Sequence, residues 1–156
     1  VIMLRFIMNS DFKSENQKIV CVKGSKKDGE CQGAQIYMQD LGVGYGSGWR
    51  GLLQPPDRVN LKGWRDSLIW RDRKNCIIEM QSSPTAKNIV RKISEPGRQL
   101  VFSLLSQLSD QQIYDWFLAA RIVDPDSAQA EFIISQWVAV FKDKVRQIGE
   151  GPTCMP

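Results

Sequence analysis

Apolar and polar positions divide the chain into a β-like opening, a glycine-rich middle and a helical remainder. The run Val1-Ile2-Met3-Leu4, broken by Arg5 and resumed by Phe6-Ile7-Met8, reads as the end of a buried helix or a strand. Asn9 to Asn16 is polar and loop-like. Gln17-Lys18-Ile19-Val20-Cys21-Val22 then alternates as a short strand does, and Gln35-Ile36-Tyr37-Met38 forms a second β-like stretch. The turn-rich Gly24 to Gly29 segment between them predicts a hairpin over residues 17–39, whose open end brings Asn16 and Asp40 together. Five glycines between Leu41 and Gly51 (Gly42, Gly44, Gly46, Gly48, Gly51) exclude a regular element there. Pro55-Pro56-Asp57 prolongs that loop, and Leu61, Trp64, Leu68, Ile69 and Trp70 mix helical and irregular spacing. Cys76-Ile77-Ile78-Glu79-Met80 reads as another strand.

Helical periodicity dominates from residue 94 to 148. Ser94-Glu95-Pro96-Gly97 has the form of a helix start, with Pro in the first turn, and Leu100, Val101, Leu104, Leu105 and Leu108 make one stripe. Ser109-Asp110-Gln111-Gln112 is a capping box, followed by Ile113, Trp116, Phe117 and Ala120 at helical spacing. Asp126 is the expected cap of a third helix, with Ala130, Ile133, Ile134, Trp137, Phe141, Val145 and Ile148 on its apolar side. The aromatic residues of these stripes are expected in the core. Residues 149–156 are expected to fray as a tail.

With 156 residues, 42% hydrophobic and 24% charged, the chain has the composition of one ordinary globular domain. The net charge of +4 is mild and its cations are scattered among acids, which disfavours a dedicated nucleic-acid binder. The short runs Lys26-Lys27 and Arg71-Asp72-Arg73-Lys74 read as solvated turns. No apolar stretch approaches the roughly 20 residues that span a bilayer. The absence of an initiator Met at an apolar start suggests a fragment of a longer protein.

The chain contains no histidine, which excludes Ser-His-Asp and Cys-His nucleophiles and His-ligated metals. Chemistry is left to carboxylates, amides, lysines and a bound metal. Cys21, Cys31, Cys76 and Cys154 form no C-x-x-C pair, which argues against zinc. Cys21 and Cys31 flank the predicted hairpin turn. They either bridge across it, which needs an oxidising compartment, or remain reduced and half-buried.

The candidate chemistry lies in Asn9-Ser10-Asp11-Phe12-Lys13-Ser14-Glu15-Asn16, which contains D-x-K-x-x-N, and in Asp40-Leu41-Gly42. Phosphoryl transfer needs a carboxylate to orient and accept the proton of the attacking hydroxyl, and oxygen ligands to hold a magnesium ion on the phosphates. Asp11 fits the first role. Lys13 can neutralise the transferring group, and Asn16 and Asp40 supply an amide and a carboxylate oxygen of the kind Mg²⁺ prefers. Gly42 lets the chain turn away after Asp40.

On these motifs the sequence resembles the protein-kinase-like superfamily, C-terminal lobe. Asp11, Lys13 and Asn16 match its catalytic loop, and Asp40-Leu41-Gly42 its metal-binding D-F-G position. The longer Asp40-Leu41-Gly42-Val43-Gly44-Tyr45-Gly46 is similar to the segment of atypical kinases of the secretory-pathway (Golgi casein-kinase) and HipA types. It is also similar to uncharacterised bacterial proteins in which a helical end opens near I-S-E-x-G-R, here Ile93-Ser94-Glu95-Pro96-Gly97-Arg98. The resemblance implies an α+β, mainly α, kinase-like lobe over 1–148: catalytic loop 9–16, hairpin 17–39, metal-binding loop 40–51 and helical part 94–148. It implies ATP and Mg²⁺ as cofactors, with Asp11 and Lys13 catalytic, Asn16, Asp40 and Gly42 cofactor-binding, and Asn16 and Asp40 on the metal.

The departures are specific. Asn9-Ser10 stands where eukaryotic kinases have His-Arg, and no A-P-E is recognisable. The glycine-rich phosphate loop and the β3 lysine would lie in an N-terminal lobe before Val1, as an expected partner. The substrate is expected to be a hydroxyl-bearing protein or small molecule, and a secreted or periplasmic setting is favoured over a cytoplasmic one. Two other readings stand beside the enzyme. One is a non-catalytic pseudokinase or binding scaffold. The other is a small module presenting Trp49, Trp64 and Trp70 among arginines to stack bases or sugars, against which the tryptophans would simply plug a loop onto the helices.

Overall fold

The computed structural model describes residues 2–8, 17–38, 45, 59–79, 92–151 and 153–154. The chain is α+β. Helix α1 (Ile2–Phe6) is followed by strands β1 (Gln17–Cys21), β2 (Lys26–Lys27), β3 (Glu30–Cys31) and β4 (Ala34–Met38). Then come α2 (Leu61–Asp66), β5 (Trp70–Asp72), β6 (Ile77–Ile78), α3 (Glu95–Ser106), α4 (Asp110–Ala119) and α5 (Ala130–Gly149). The strands pair antiparallel in three small two-stranded sheets: β1 with β4, β2 with β3, and β5 with β6.

The central element is α5, 20 residues long, or roughly 30 Å at 1.5 Å per residue. Its residues Ala130, Ile134, Trp137, Phe141, Val145 and Ile148 recur at spacings of three and four and are buried. Helices α2, α3 and α4 pack on it, and α1 packs on α3. The core is aromatic at its centre. Trp64 stacks on Trp137 with ring centroids 5.4 Å apart, Phe6 meets Phe141 edge-on at 4.9 Å, and Phe117 lies 5.4 Å from Trp137. Indole nitrogens carried into such a core need acceptors. Trp64 Nε1 donates to Phe6 O (2.6 Å) and Trp70 Nε1 to Gln147 O (2.8 Å). Trp64 therefore joins α2 to α1 and Trp70 joins β5 to α5, and neither is an exposed stacking platform; Trp49 lies outside the described residues.

Two buried cations close the end of α2. Lys144, with no exposed surface, donates Nζ to Arg65 O (3.1 Å) and to Ser67 O. Arg5, 4% exposed, donates Nε to Leu68 O (2.7 Å). The last carbonyls of a helix have no partner within it and carry the negative end of its dipole. The cost of burying the ammonium shows in its acidity: desolvation pulls Lys144 down to about 8, with Asp143 acting in the opposite direction.

The segment Ile93 to Arg98 acts as a clamp on the chain's end. Ser94 caps α3 by accepting from Gly97 N (3.4 Å). Arg98 donates Nη1 to Ile148 O (2.8 Å) and Gly149 O (3.1 Å), satisfying the last carbonyls of α5. Glu95 binds Arg98 at 2.5 Å and accepts the Cys154 backbone N–H at 2.7 Å. Those partners, Arg98 foremost and Cys154 N–H next, hold Glu95 at about 2, well below the usual carboxylate range. Cys154 is buried and disulfide-bonded to Cys76, 78 residues away, in the turn before β6. The expected frayed tail is thus anchored at Cys154.

Four further expectations are revised. Leu100 and Leu104 are about 60% and 58% exposed, while Arg98, Val101 and Leu105 face inward. A leucine-rich helix offers two apolar flanks, and Arg98's bond to the end of α5 selects the rotation. Trp116 is 47% exposed, stacked on Phe117 at 5.8 Å and edge-on to Phe141, so it covers the aromatic cluster from outside. Asp126 does not cap α5, whose N-cap is Gln129 without a side-chain bond. Residues 124–130 use their polar groups in local turns instead, including Ser127 N to Asp124 O and Ala130 N to Ser127 O. The capping box of α4 forms as written, Ser109 and Gln112 exchanging bonds. Lys26 and Lys27, read as a turn, form β2 and are exposed.

Candidate functional site

Asp11, Lys13, Asn16, Asp40 and Gly42 all lie outside the described residues. What is described are the residues that bracket them. Strands β1 and β4 pair in the register Gln17↔Met38, Lys18↔Tyr37, Ile19↔Ile36, Val20↔Gln35 and Cys21↔Ala34. Gln17 is the residue after Asn16, and Met38 stands two before Asp40. On the other side, Tyr45 N donates to Ile7 O (2.5 Å). Ile7 stands four residues before Asp11, and Tyr45 five after Asp40. The described residues flanking segments 9–16 and 39–44, which carry the two motifs, are joined on both sides. One tie is a strand pair and the other a backbone hydrogen bond.

Tyr45 is the aromatic of the D-x-G-x-x-(aromatic)-G pattern. Its ring meets Trp64 at 5.0 Å, Phe117 at 5.8 Å and Trp137 at 5.8 Å, all edge-on. Tyr45 O accepts from Asn60 N (2.9 Å), and Asn60 in turn caps α2 through Gly63 N (2.8 Å). Among the described residues its hydroxyl is the buried side-chain polar atom without a hydrogen-bond partner. Burial pushes the phenol well above its usual range. The motif's aromatic is therefore itself fixed to the helical body. Sequence reasoning gave Tyr45 a place in the pattern but no role. The signal was an aromatic among glycines, which have no side chain with which to hold a loop.

Two open grooves occur on the helical body. One, about 440 Å³, lies between α3 and α5 over Phe102, Leu105 and Val145. The other, about 470 Å³, lies between α4 and α5 beside Tyr114 and Val138. Their charged rims are already paired: Lys142 with Asp110 at 3.0 Å, Arg146 with Asp143 at 2.5 Å and with Glu150 at 2.9 Å. Neither groove contains a sequence-predicted site residue. No group of three or more acidic or cysteine side chains suited to a metal occurs among the described residues. No described helix is long and apolar enough to cross a membrane. Comparison of the chain with protein-family models, curated proteins and solved structures gave no match.

Proposed function

We propose that the chain is the catalytic lobe of a kinase-like phosphotransferase that moves the γ-phosphoryl group of ATP to a hydroxyl-bearing substrate. The observation that carries the reading is the double tie of the motif segments, Gln17 with Met38 and Ile7 with Tyr45. Chain connectivity keeps Asn16 one residue, and Asp40 two, from a paired strand position. Divided ligand duty requires Asn16 and Asp40 to share a region, and the pairing of Gln17 with Met38 and of Ile7 with Tyr45 supports that.

In this reading Asp11 orients the substrate hydroxyl and takes its proton as the oxygen attacks the γ-phosphorus, while ADP departs with the electrons of the broken P–O bond. Lys13 offsets the charge on the transferring group. Asn16 and Asp40 offer hard oxygen donors, a set that suits Mg²⁺, and Gly42 frees the chain beyond Asp40. Held by Asn16 and Asp40, Mg²⁺ would offset the charge of the phosphates. The reading requires an N-terminal lobe that supplies the phosphate-covering glycine loop and the lysine. The two disulfides, Cys21–Cys31 and Cys76–Cys154, support an oxidising setting, secreted or periplasmic.

The test uses the protein extended through the residues encoded before Val1. Calorimetry is expected to show Mg²⁺-dependent ATP binding that falls at least about tenfold in Asp40→Ala, roughly the loss of one charged ligand contact. Asp11→Ala is expected to keep binding and lose phosphoryl transfer. Unchanged nucleotide affinity in Asp40→Ala sinks the assignment. Tight binding without any transfer by the unaltered protein would favour the pseudokinase reading instead.

A further inference from the structure

No side chain described in the hairpin from Gln17 to Met38 belongs to the buried core. The hairpin's strands pair with each other, whereas the helical elements find their packing partners in one another. Lys18, Lys23, Lys26, Lys27, Gln35 and Tyr37 are exposed. An isolated two-stranded ribbon is at best marginally stable in water, yet this one is held in a defined shape. Its tip turns through Asp28 and Gly29, both with positive φ (52° and 83°), between the pairs Lys27↔Glu30 and Lys26↔Cys31. The Cys21–Cys31 disulfide, with Cα atoms 5.6 Å apart, fastens that tip to the end of β1.

The ribbon carries an excess of positive charge. Among the described residues none of its four lysines is in an ion pair, as is also true of Arg65, Arg71, Arg73, Lys74, Lys92 and Arg121 on the body. The ribbon's lysines face only Asp28 and Glu30 within residues 17–38. Each of β1 and β4 also has one edge with no strand beside it among the described residues.

We propose that this disulfide-fastened ribbon is a docking arm for an extended acidic polypeptide segment, which adds to a free edge as a third strand. An open edge offers alternating N–H and C=O groups, and a polypeptide main chain matches them. The lysines select for Asp and Glu on the incoming strand. They also repel a second copy of the ribbon, as edge lysines generally do. The ribbon has no arginine for bidentate contacts, and its one exposed aromatic is Tyr37. That is a poor set for reading or stacking nucleic acid. The fixed tip lowers the ordering cost of binding. This surface is independent of the phosphotransfer reading and stands or falls without it.

The experiment measures fluorescence anisotropy of a labelled peptide of alternating Glu and Thr with the whole chain, disulfides intact. A peptide of equal charge carrying Pro at alternate positions, a single-stranded oligothymidylate and phosphatidylserine vesicles serve as comparators. Saturable binding is expected for the Glu/Thr peptide, weaker by about tenfold for Lys23→Glu/Lys26→Glu/Lys27→Glu, as the loss of several exposed ion pairs implies. The proline peptide, unable to join an edge, is expected to bind at least about fivefold more weakly. Amide shifts of the unaltered protein on titration with the peptide give a readout that needs no variant, and are expected to concentrate in residues 17–38. Equal binding of the two peptides, preference for oligonucleotide or vesicle, or shifts centred on the helices would each overturn the proposal.

Discussion

Buried polar atoms decide most at the scale of single residues, because each must find a partner or bear a cost. Lys144 finds two carbonyls yet remains a buried ammonium, with its acidity raised so that it titrates at about 8. Unfolded, it titrates near 10.4. Between these values the unfolded chain holds the extra proton, so stability must rise with pH from about 8 toward about 10. Urea midpoints followed by tryptophan fluorescence at pH 7 to 9.5 should show that rise, and Lys144→Met should flatten it. A slope unchanged by the substitution would remove Lys144 as its source. Tyr45 poses the opposite case, a buried hydroxyl with no hydrogen-bond partner among the described residues. Tyr45→Phe should stabilise the fold by about 1 kcal/mol, and Tyr45→Ala should destabilise it by about 3 kcal/mol. The same denaturation series checks both, and a loss of stability in Tyr45→Phe would show that the hydroxyl has a partner in solution.

Helix starts were readable to different degrees at the scale of elements, and the difference is testable. Ser109-Asp110-Gln111-Gln112 carries its own cap in the sequence, and the reciprocal bonds form. Asp126 looked equivalent, but α5 begins at Ala130 and the intervening polar groups close turns on one another. Ser109→Ala should therefore cost about 1 kcal/mol, and Asp126→Ala should stay within about 0.5 kcal/mol, as exposed substitutions usually do. Thermal unfolding of the two variants discriminates them, and equal losses would contradict the observed start of α5. The stripe of α3 teaches a related point. Leu100 and Leu104 share a helical period with Leu105, but a hydrophobic period marks faces without choosing between adjacent ones. The Arg98 bonds to Ile148 and Gly149 make that choice.

Long-range ties give the molecule its shape as a whole. The clamp of Glu95 and Arg98 and the Cys76–Cys154 bond hold the chain's end against the β5–β6 turn. The disulfide closes a loop across a sequence separation of 78, long enough for a large entropic effect on the unfolded chain. Replacing both cysteines, Cys76→Ser with Cys154→Ser, should cost about 2–5 kcal/mol, while leaving the hairpin disulfide intact. Comparison of the two proteins by chemical denaturation checks it, and coincident curves would make the bond incidental to stability. The same ties frame the candidate site. Tyr45 is held in the aromatic core, and β1–β4 pairs Gln17, next to Asn16, with Met38, two before Asp40.

The sequence by itself determined what depends on near neighbours. It showed the hairpin, read over 17–39 and described over 17–38, the capped start of α4, the helical half with its apolar spine on α5, and the exclusion of histidine chemistry. Those follow from period, turn residues and composition, each readable within a few positions. Only the tertiary structure decided which flank of α3 is buried, that Cys154 reaches back to Cys76, and that Lys144 and Arg5 serve the end of α2. It also decided that Tyr45 packs into the aromatic core. Each of these joins residues at least 15 positions apart. Such pairs are selected by how whole elements pack and by which buried polar groups must be satisfied, and no local pattern along the chain encodes either.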